Sequence, residues 1–155
     1  MRWLILVSLP LLLTAGCATP TQLALDAEVR RLCAIDGGIR VYEQVKLPVE
    51  EFDQYGQINF YRPTQGENAL GPEYLVKSIT QYYQRGNPEV WRDHYQILRR
   101  SDGKLLGEAV SYSRRGGDIP GPWHSSSYGC PKEAGEVTLI KRIFIKDHNK
   151  TGETQ

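Results

Sequence analysis

The sequence predicts an α+β domain in which an N-terminal helix packs on an antiparallel β-sheet, a meander of about four to five strands. Two observations favour this class: an early segment has helical periodicity, and three later segments rich in strand-forming residues are separated by turn sequences. We expect one α+β domain over residues 22–146, the size of an ordinary domain with a single core. A short linker at 17–21 precedes it, and a polar tail at 147–155 follows it.

The first elements are a helix and a strand. From Thr21 onward, apolar residues recur at about the helical period with charged residues between them. Gly37 and Gly38 should end this helix, since glycine is common just beyond helix ends. The segment 39–45 is rich in strand formers and ends before Pro48, which predicts a first strand.

The middle of the chain has weaker patterns. A short helix fits 48–55 and a short strand fits 58–61. The segment 62–72 contains several glycines and prolines, so we predict a loop there. Long loops without secondary structure are often functional when they are ordered.

The meander is predicted from three segments, 74–84, 90–99 and 105–114, that favour strands and are separated by turn sequences. The strongest single signal is Asp102-Gly103, because both residue types tolerate the positive φ of a tight hairpin turn. A last strand is expected over 136–145.

The face on which each side chain lies depends on the length of that hairpin turn. A three-residue turn with a bulge would shift the register by one residue and exchange the faces. A two-residue turn would place on one face Trp91, Asp93, Tyr95, Ile97, Leu106, Val110 and Tyr112.

Residues 1–16 have the features of an export signal. A basic residue, Arg2, precedes an apolar run over 3–13, and small residues follow it. The run is shorter than the roughly 20 apolar residues that a helix needs to cross a bilayer, and it contains Pro10. We therefore expect this segment to be cleaved rather than to remain as a transmembrane helix.

The segment ends in Leu13-Thr14-Ala15-Gly16-Cys17, which resembles the lipobox of bacterial lipoproteins. The resemblance covers residues 1–17 only, and Thr14 departs from the pattern, since leucine is commonest there. It implies that a diacylglycerol is transferred to the sulfur of Cys17, that a peptidase cuts before this residue, and that the new amine is commonly acylated. Two or three acyl chains anchor a protein stably. The alternative is an ordinary cleaved signal.

The resemblance also implies a location. In bacteria with two membranes, Asp after the lipid-bearing cysteine often retains the protein at the inner membrane, whereas other residues permit export to the outer membrane. Ala18 follows Cys17. We therefore expect the protein on the outer membrane, facing the periplasm, with the inner membrane as the alternative.

With Cys17 assigned to lipid, Cys33 and Cys130 remain in an oxidising compartment, so we expect them to form a disulfide. In the chain-entropy model, a bridge that closes a loop of roughly 100 residues contributes roughly 4–5 kcal/mol. A metal site or a nucleophilic thiol is the alternative, but neither cysteine has a His or Cys partner at ligand spacing.

The charge of the processed chain is balanced, with 18 basic and 18 acidic residues after removal of 1–16. Proteins that bind nucleic acid are strongly basic, so this balance gives no electrostatic reason to expect such a partner. The expected membrane contact is the lipid bilayer itself, through acylated Cys17.

Candidate catalytic groups are sparse. Asp118, His124 and the serines at 125–127 suggest a hydrolase, but triad members meet through the fold rather than in a run, and a Gly-x-Ser-x-Gly elbow is missing. His94, His124 and His148 lie far apart and form no paired ligand motif. We therefore predict no catalytic residues, no metal site and no cofactor.

Aromatic residues are abundant, with nine tyrosines besides Trp91 and Trp123 in the processed chain. Such side chains suit both protein interfaces and sugar stacking. Trp123, His124 and Tyr128 form a possible recognition surface. Our leading hypothesis is a non-enzymatic binding or structural module that contacts an envelope protein. A glycan or cell-wall binding lipoprotein is the alternative, and a small periplasmic hydrolase is third.

Overall fold

The computed structural model describes residues 18–122 and 124–147. The predicted signal peptide, Cys17, Trp123 and residues 148–155 lie outside this range. Two short 3-10 helices, Val49–Glu51 and Pro63–Asn68, occupy part of the segment before the meander. The helices and strands are α1 (Pro20–Asp36), β1 (Gly38–Val41), β2 (Val45–Leu47), β3 (Tyr74–Gln84), β4 (Glu89–Arg99), β5 (Leu105–Arg115), β6 (Ser127–Cys130), α2 (Glu136–Ile143) and β7 (Phe144–Lys146).

The main sheet is antiparallel and has the strand order β1-β5-β4-β3. A fifth strand, β6, pairs with the end of β5, so β1 and β6 follow one another along the same edge of β5. The strands β2 and β7 form a separate parallel pair. The predicted α+β class, with an N-terminal helix on an antiparallel meander, is confirmed.

The helix α1 begins and ends where its sequence dictates. The hydroxyl of Thr19 accepts from the backbone N–H of Gln22 at 3.1 Å, and the Gln22 side chain accepts from the Thr19 N–H at 2.7 Å, which forms a capping box. At the other end, a Cβ on Gly37 would lie 2.6 Å from the carbonyl oxygen of Cys33. Only glycine fits there, so the predicted helix end is confirmed.

The helix α1 covers one face of the sheet at the end where β5 finishes. Its core residues are Val29 and Cys33, which pack on Val90, Val110 and Tyr112 of the sheet. The predicted disulfide joins Cys33 to Cys130 across 97 residues and links α1 covalently to β6. The loop that this bridge closes is long, so its chain-entropy contribution is large.

The opposite face is covered by α2 at the other end of the sheet. Here the prediction of a strand over 136–145 is wrong, because its first eight residues are helical and only the last part is β7. Leu139, Ile140 and Ile143 lie at helical spacing and are buried against β5 and β1. Tertiary burial overrides the strand preference of the Val, Thr and Ile residues in this segment.

The connection between β4 and β5 is longer than a two-residue turn. The N–H of Arg99 donates to the carbonyl of Lys104, and a bulge follows at Leu106. The face assignment based on a two-residue turn is confirmed for the residues of β4 and is wrong for Val110 and Tyr112 of β5. The extra residue moves Val110 and Tyr112 to the other face of the sheet.

Several smaller predictions also change. The predicted first strand over 39–45 is split between β1 and β2, which belong to different sheets. The expected strand at 58–61 is reduced to one isolated bridge between Phe52 and Ile58. The predicted loop at 62–72 includes a 3-10 helix. The short strand β6, between the meander and α2, is an element that the sequence did not predict.

Polar groups fix the end of α1 to the sheet. Arg92 donates to one carboxylate oxygen of Asp36 at 2.8 Å, and the Tyr112 hydroxyl donates to the other at 2.6 Å. Burial raises the pKa of Asp36, but hydrogen bonds from Tyr112 and Arg92 outweigh it and hold the pKa below its usual range. Burial and the bond to Asp36 raise the pKa of Tyr112.

Asp36→Asn should therefore destabilise the domain by about 1–2 kcal/mol at pH 7, since hydrogen bonds to charged groups contribute on this scale. The folded-state pKa lies below the unfolded value of about 3.9, so the stabilisation is complete above that value and is lost as pH falls through the folded pKa. Urea unfolding should show the largest difference from wild type at neutral pH and almost none near the acid limit of folding.

Glu28→Gln is the matched control, because Glu28 pairs with Arg31 in solvent on the same helix. It should unfold like the wild type at every pH. A deficit in Asp36→Asn that is independent of pH would show that shape, rather than charge, holds the helix end.

Candidate functional site

The face of the sheet that α2 covers is buried at one end and open at the other. Val76 and Ile97 are paired and buried. Further along the same face the strands present hydroxyl and aromatic side chains that are exposed or half-buried. We call this surface the open half-face, and it comprises Ser78, Thr80, Tyr82, Trp91, Asp93, Tyr95, Ser111 and Ser113.

A groove of about 400 Å³ runs along one border of the open half-face. Its floor is formed by Tyr95, Ser111 and Ser113, and its wall is the segment from β6 to α2. Lys132 is exposed at the rim. The groove thus offers hydroxyl groups, one aromatic ring and one cation.

Trp91 is held in place by a carboxylate on its own strand. Its indole N–H donates to Asp93 at 2.8 Å, and the Thr80 hydroxyl donates to the other oxygen of Asp93 at 2.7 Å. The ring of Tyr82 lies 6.3 Å from that of Trp91, and the Arg85 guanidinium lies over Tyr82 at 4.0 Å. The carboxylate therefore orients an aromatic pair on a rigid hairpin.

Tyr95 and Tyr61 lie where the open half-face meets the core. Burial raises the pKa of Tyr95, and the charges of Asp93 and Glu136 add to this effect. Burial and a 2.9 Å hydrogen bond to Glu136 raise the pKa of Tyr61 to about 12. The Tyr61 phenol therefore stays protonated at neutral pH and donates its hydrogen bond to Glu136.

The other border of the open half-face is the free edge of β3. This strand lies last in the sheet order, and its residues 77–84 are exposed. The 3-10 helix Pro63–Asn68 lies against β3, whose buried residues are at its start. The outward-facing backbone groups of an edge strand have no sheet partner and can pair with another chain.

Two of the three residues of the predicted recognition surface lie within the described part of the chain. Trp123 lies outside the described residues, and His124 is exposed. Tyr128 is on the α1 side, where the Arg30 guanidinium lies 5.5 Å from its ring centre. The Asp118 carboxylate accepts from the Gln22 amide at 2.6 Å and from the backbone N–H of Ser126 at 2.8 Å.

A polar cluster that the sequence did not reveal surrounds Glu108. The His94 ring lies 2.8 Å from the Glu108 carboxylate, and the Tyr42 hydroxyl donates to the same carboxylate at 2.6 Å. These hydrogen bonds, from Tyr42 first and then His94, lower the pKa of Glu108. Arg40 adds an ion pair at 3.5 Å. Sequence reasoning missed this cluster because it depends on the bulged register.

Within residues 18–122 and 124–147, no three His, Cys, Asp or Glu side chains are arranged to hold a metal ion. The helices in this part of the chain are all too short or too polar to span a bilayer. Comparison with protein-family models, curated proteins and solved structures finds no match to the chain. The geometry of the site is therefore the basis for the function proposed below.

Asp93→Ala should free the Trp91 ring without unfolding the domain, because it removes the acceptor for the indole N–H and leaves the β4 backbone pairing intact. The assigned indole N–H signal of Trp91 should show faster hydrogen exchange. Glu89→Ala, at the start of the same strand and paired with Arg115, is the matched control and should leave that exchange rate unchanged. An unchanged rate in both variants would mean that Asp93 does not orient the ring.

Proposed function

We propose that this protein is a lipid-anchored, non-enzymatic binding module of the bacterial cell envelope. Its ligand is an extended segment of an envelope protein, which pairs with the free edge of β3 and lays alternate side chains on the open half-face. The observation that carries this proposal is the exposed edge of β3 over residues 77–84, where no other strand of the described chain pairs with it, next to a face of aromatic and hydroxyl groups.

Strand addition suits this edge physically. A peptide that joins a sheet edge gains main-chain hydrogen bonds, and its side chains alternate between the two faces of the sheet. Tyr82 and Trp91 would contact the side chains on one face. Exposed Ile79 and Tyr83 lie on the other face of the same strand. The edge thus supplies affinity, and the aromatic residues supply selectivity.

The anchoring part of the proposal rests on the lipobox resemblance that ends at Cys17. Ala18 in the next position favours the outer membrane, with the domain facing the periplasm. The fold supports a short tether, because Thr19 is already tied to the domain by its hydrogen bond to Gly117 at 2.7 Å. The bilayer is then the first partner of the molecule, and the β3 edge serves a second partner close to it.

Glycan binding is a second candidate, and the aromatic and hydroxyl composition of the site favours it. Sugar rings stack on Trp and Tyr side chains, and serine hydroxyls hydrogen bond to sugar hydroxyls. Trp91, Ser111 and Ser113 lie in adjacent strands of the same face. We rank it second because a glycan ligand would not pair with the backbone of the β3 edge, so this edge would have no role in binding.

Intact-mass measurement of the protein extracted from membranes should show loss of residues 1–16 and addition of at least a diacylglycerol. Cys17→Ser should lack this mass and remain uncleaved, since the peptidase of lipoproteins acts after lipid transfer to the cysteine. Cys33→Ser with Cys130→Ser is the control pair and should keep the lipid. An unmodified Cys17 in mature protein would exclude the anchor.

A photoreactive amino acid at Ile79 or Tyr82 should crosslink in cells to the same envelope protein. Thr80→Lys should abolish both adducts, because an added charge on an edge strand opposes strand pairing. Val137→Lys is the matched control, because it places the same charge at an exposed position of α2. This variant should retain both adducts.

The second candidate makes a different prediction for this experiment. Adducts that disappear after digestion of cell-wall glycan would favour the glycan ligand. A crosslinking yield at Ile79 and Tyr82 no higher than with the same amino acid at Val137 would rule out the β3 edge as a docking site.

A further inference from the structure

The start of α1 is fixed to one end of the sheet by polar contacts. The Thr19 hydroxyl donates to the carbonyl of Gly117 at 2.7 Å. The side-chain amide of Gln22 donates to Asp118 at 2.6 Å and to the Ser126 hydroxyl at 2.8 Å. Gln22 is buried, with 6% of its surface exposed. The first described residues therefore have a defined place on the domain.

The turn between β3 and β4 lies at this same end. The side chain of Asn87 accepts from the N–H of Gly117 at 2.9 Å. The φ of Gly117 is +80°, a value that favours glycine and lets its N–H reach the turn. A hollow of about 120 Å³ between the turn and the loop is lined by Asn87, Ile119 and Pro120. Two loops and the start of α1 thus form one end surface.

This end exposes apolar side chains that nothing in the described chain covers. Ile119 is 59% exposed, and Leu23, in the first turn of α1, is 57% exposed. Pro120 follows Ile119 in the loop and Arg85 lies in the turn between β3 and β4, and both are exposed. We call these four residues the anchor-end surface. Asp118, the nearest carboxylate in the loop, is already hydrogen bonded, and the bonds from Ser126 hold its pKa below the usual range.

We propose that the anchor-end surface rests on the headgroup layer of the membrane to which Cys17 is attached. This inference rests on the proposed lipid anchor. Two residues span at most roughly 7 Å when extended, and Cys17 precedes Thr19 by two positions. An acylated sulfur at Cys17 therefore holds the end of the domain at the lipid surface. Ile119 and Leu23 then gain apolar burial there, and Arg85 can reach lipid phosphates.

The same geometry orients the rest of the domain. Each strand residue advances about 3.3 Å, so the eleven residues of β5 span roughly 35 Å. The hairpin at Asp102 therefore lies at the far end of the meander from Ile119. A contact at the anchor-end surface places the two ends at different distances from the bilayer.

Spin labels at Ile119→Cys and Asp102→Cys test this orientation in the full, acylated protein. Each variant has a single free thiol, because Cys33 and Cys130 are bridged and the sulfur of Cys17 carries lipid. The protein is reconstituted in vesicles of phosphatidylethanolamine and phosphatidylglycerol. We expect severalfold weaker collision of the label at position 119 with a water-soluble nickel complex than of the label at position 102, and stronger collision with oxygen. The label at position 102 should collide with the nickel complex as freely in vesicles as in the same acylated protein without them.

Intact mass of the same samples separates the two proposals. An acylated protein whose label at position 119 is as accessible to nickel as the label at position 102 would overturn the contact and leave the anchor standing. A protein without acyl mass would remove the anchor itself. A second label at Leu23→Cys should be protected from nickel like the label at position 119, since both positions lie on the proposed contact. A label at position 23 that is as accessible as the one at position 102 would overturn it.

Discussion

The buried guanidinium of Arg114 connects three parts of the molecule. Only 3% of this residue is exposed. It donates to Asp26 of α1 at 2.7 Å, to the carbonyl of Gly116 at 2.6 Å and to the hydroxyl of Ser126 at 2.9 Å. Removing one partner from such a buried pair leaves an uncompensated charge and costs about 3–5 kcal/mol. The position of α1, the loop after β5 and the entry to β6 are therefore fixed together. The disulfide reinforces this arrangement further along α1.

The parts of the fold that sequence could predict are those with strong local signals. Gly37 ends α1 because no larger residue fits, and the turn around Asp102-Gly103 defines the meander. The helix α2 was missed because its Val, Thr and Ile residues prefer strands. Weaker signals were present: Glu136 lies in its first turn and Lys141 and Arg142 in its last, which complements the helix dipole. Eight residues are too few for these signals to outweigh composition, and burial on β5 decides the outcome.

The candidate site was harder to predict, because it depends on register rather than on residue type. Trp91, Asp93 and Tyr95 were correctly placed on one face by alternation along a single strand. Their neighbours across the sheet were wrong, since the bulge at Leu106 exchanges the faces of all the following residues of β5. The serines that line the groove, and the pairing of His94 with Glu108, both follow from that one extra residue. A local sequence pattern carries little information about such a shift.

The two helices cover opposite halves of the two faces, and this diagonal arrangement relates the open half-face to the proposed anchor. The helix α1 occupies the anchor end of one face, whereas α2 occupies the far end of the other. Neither helix covers the aromatic and serine groups of the open half-face. These groups lie near the anchor end, because Ser113 is only two residues, about 7 Å, from the end of β5. If Cys17 holds this end at the bilayer, a ligand must approach within a few nanometres of the lipid surface. A neighbouring membrane-bound protein meets that requirement more readily than a distant polymer does, which is the same preference that the free β3 edge gives on independent grounds.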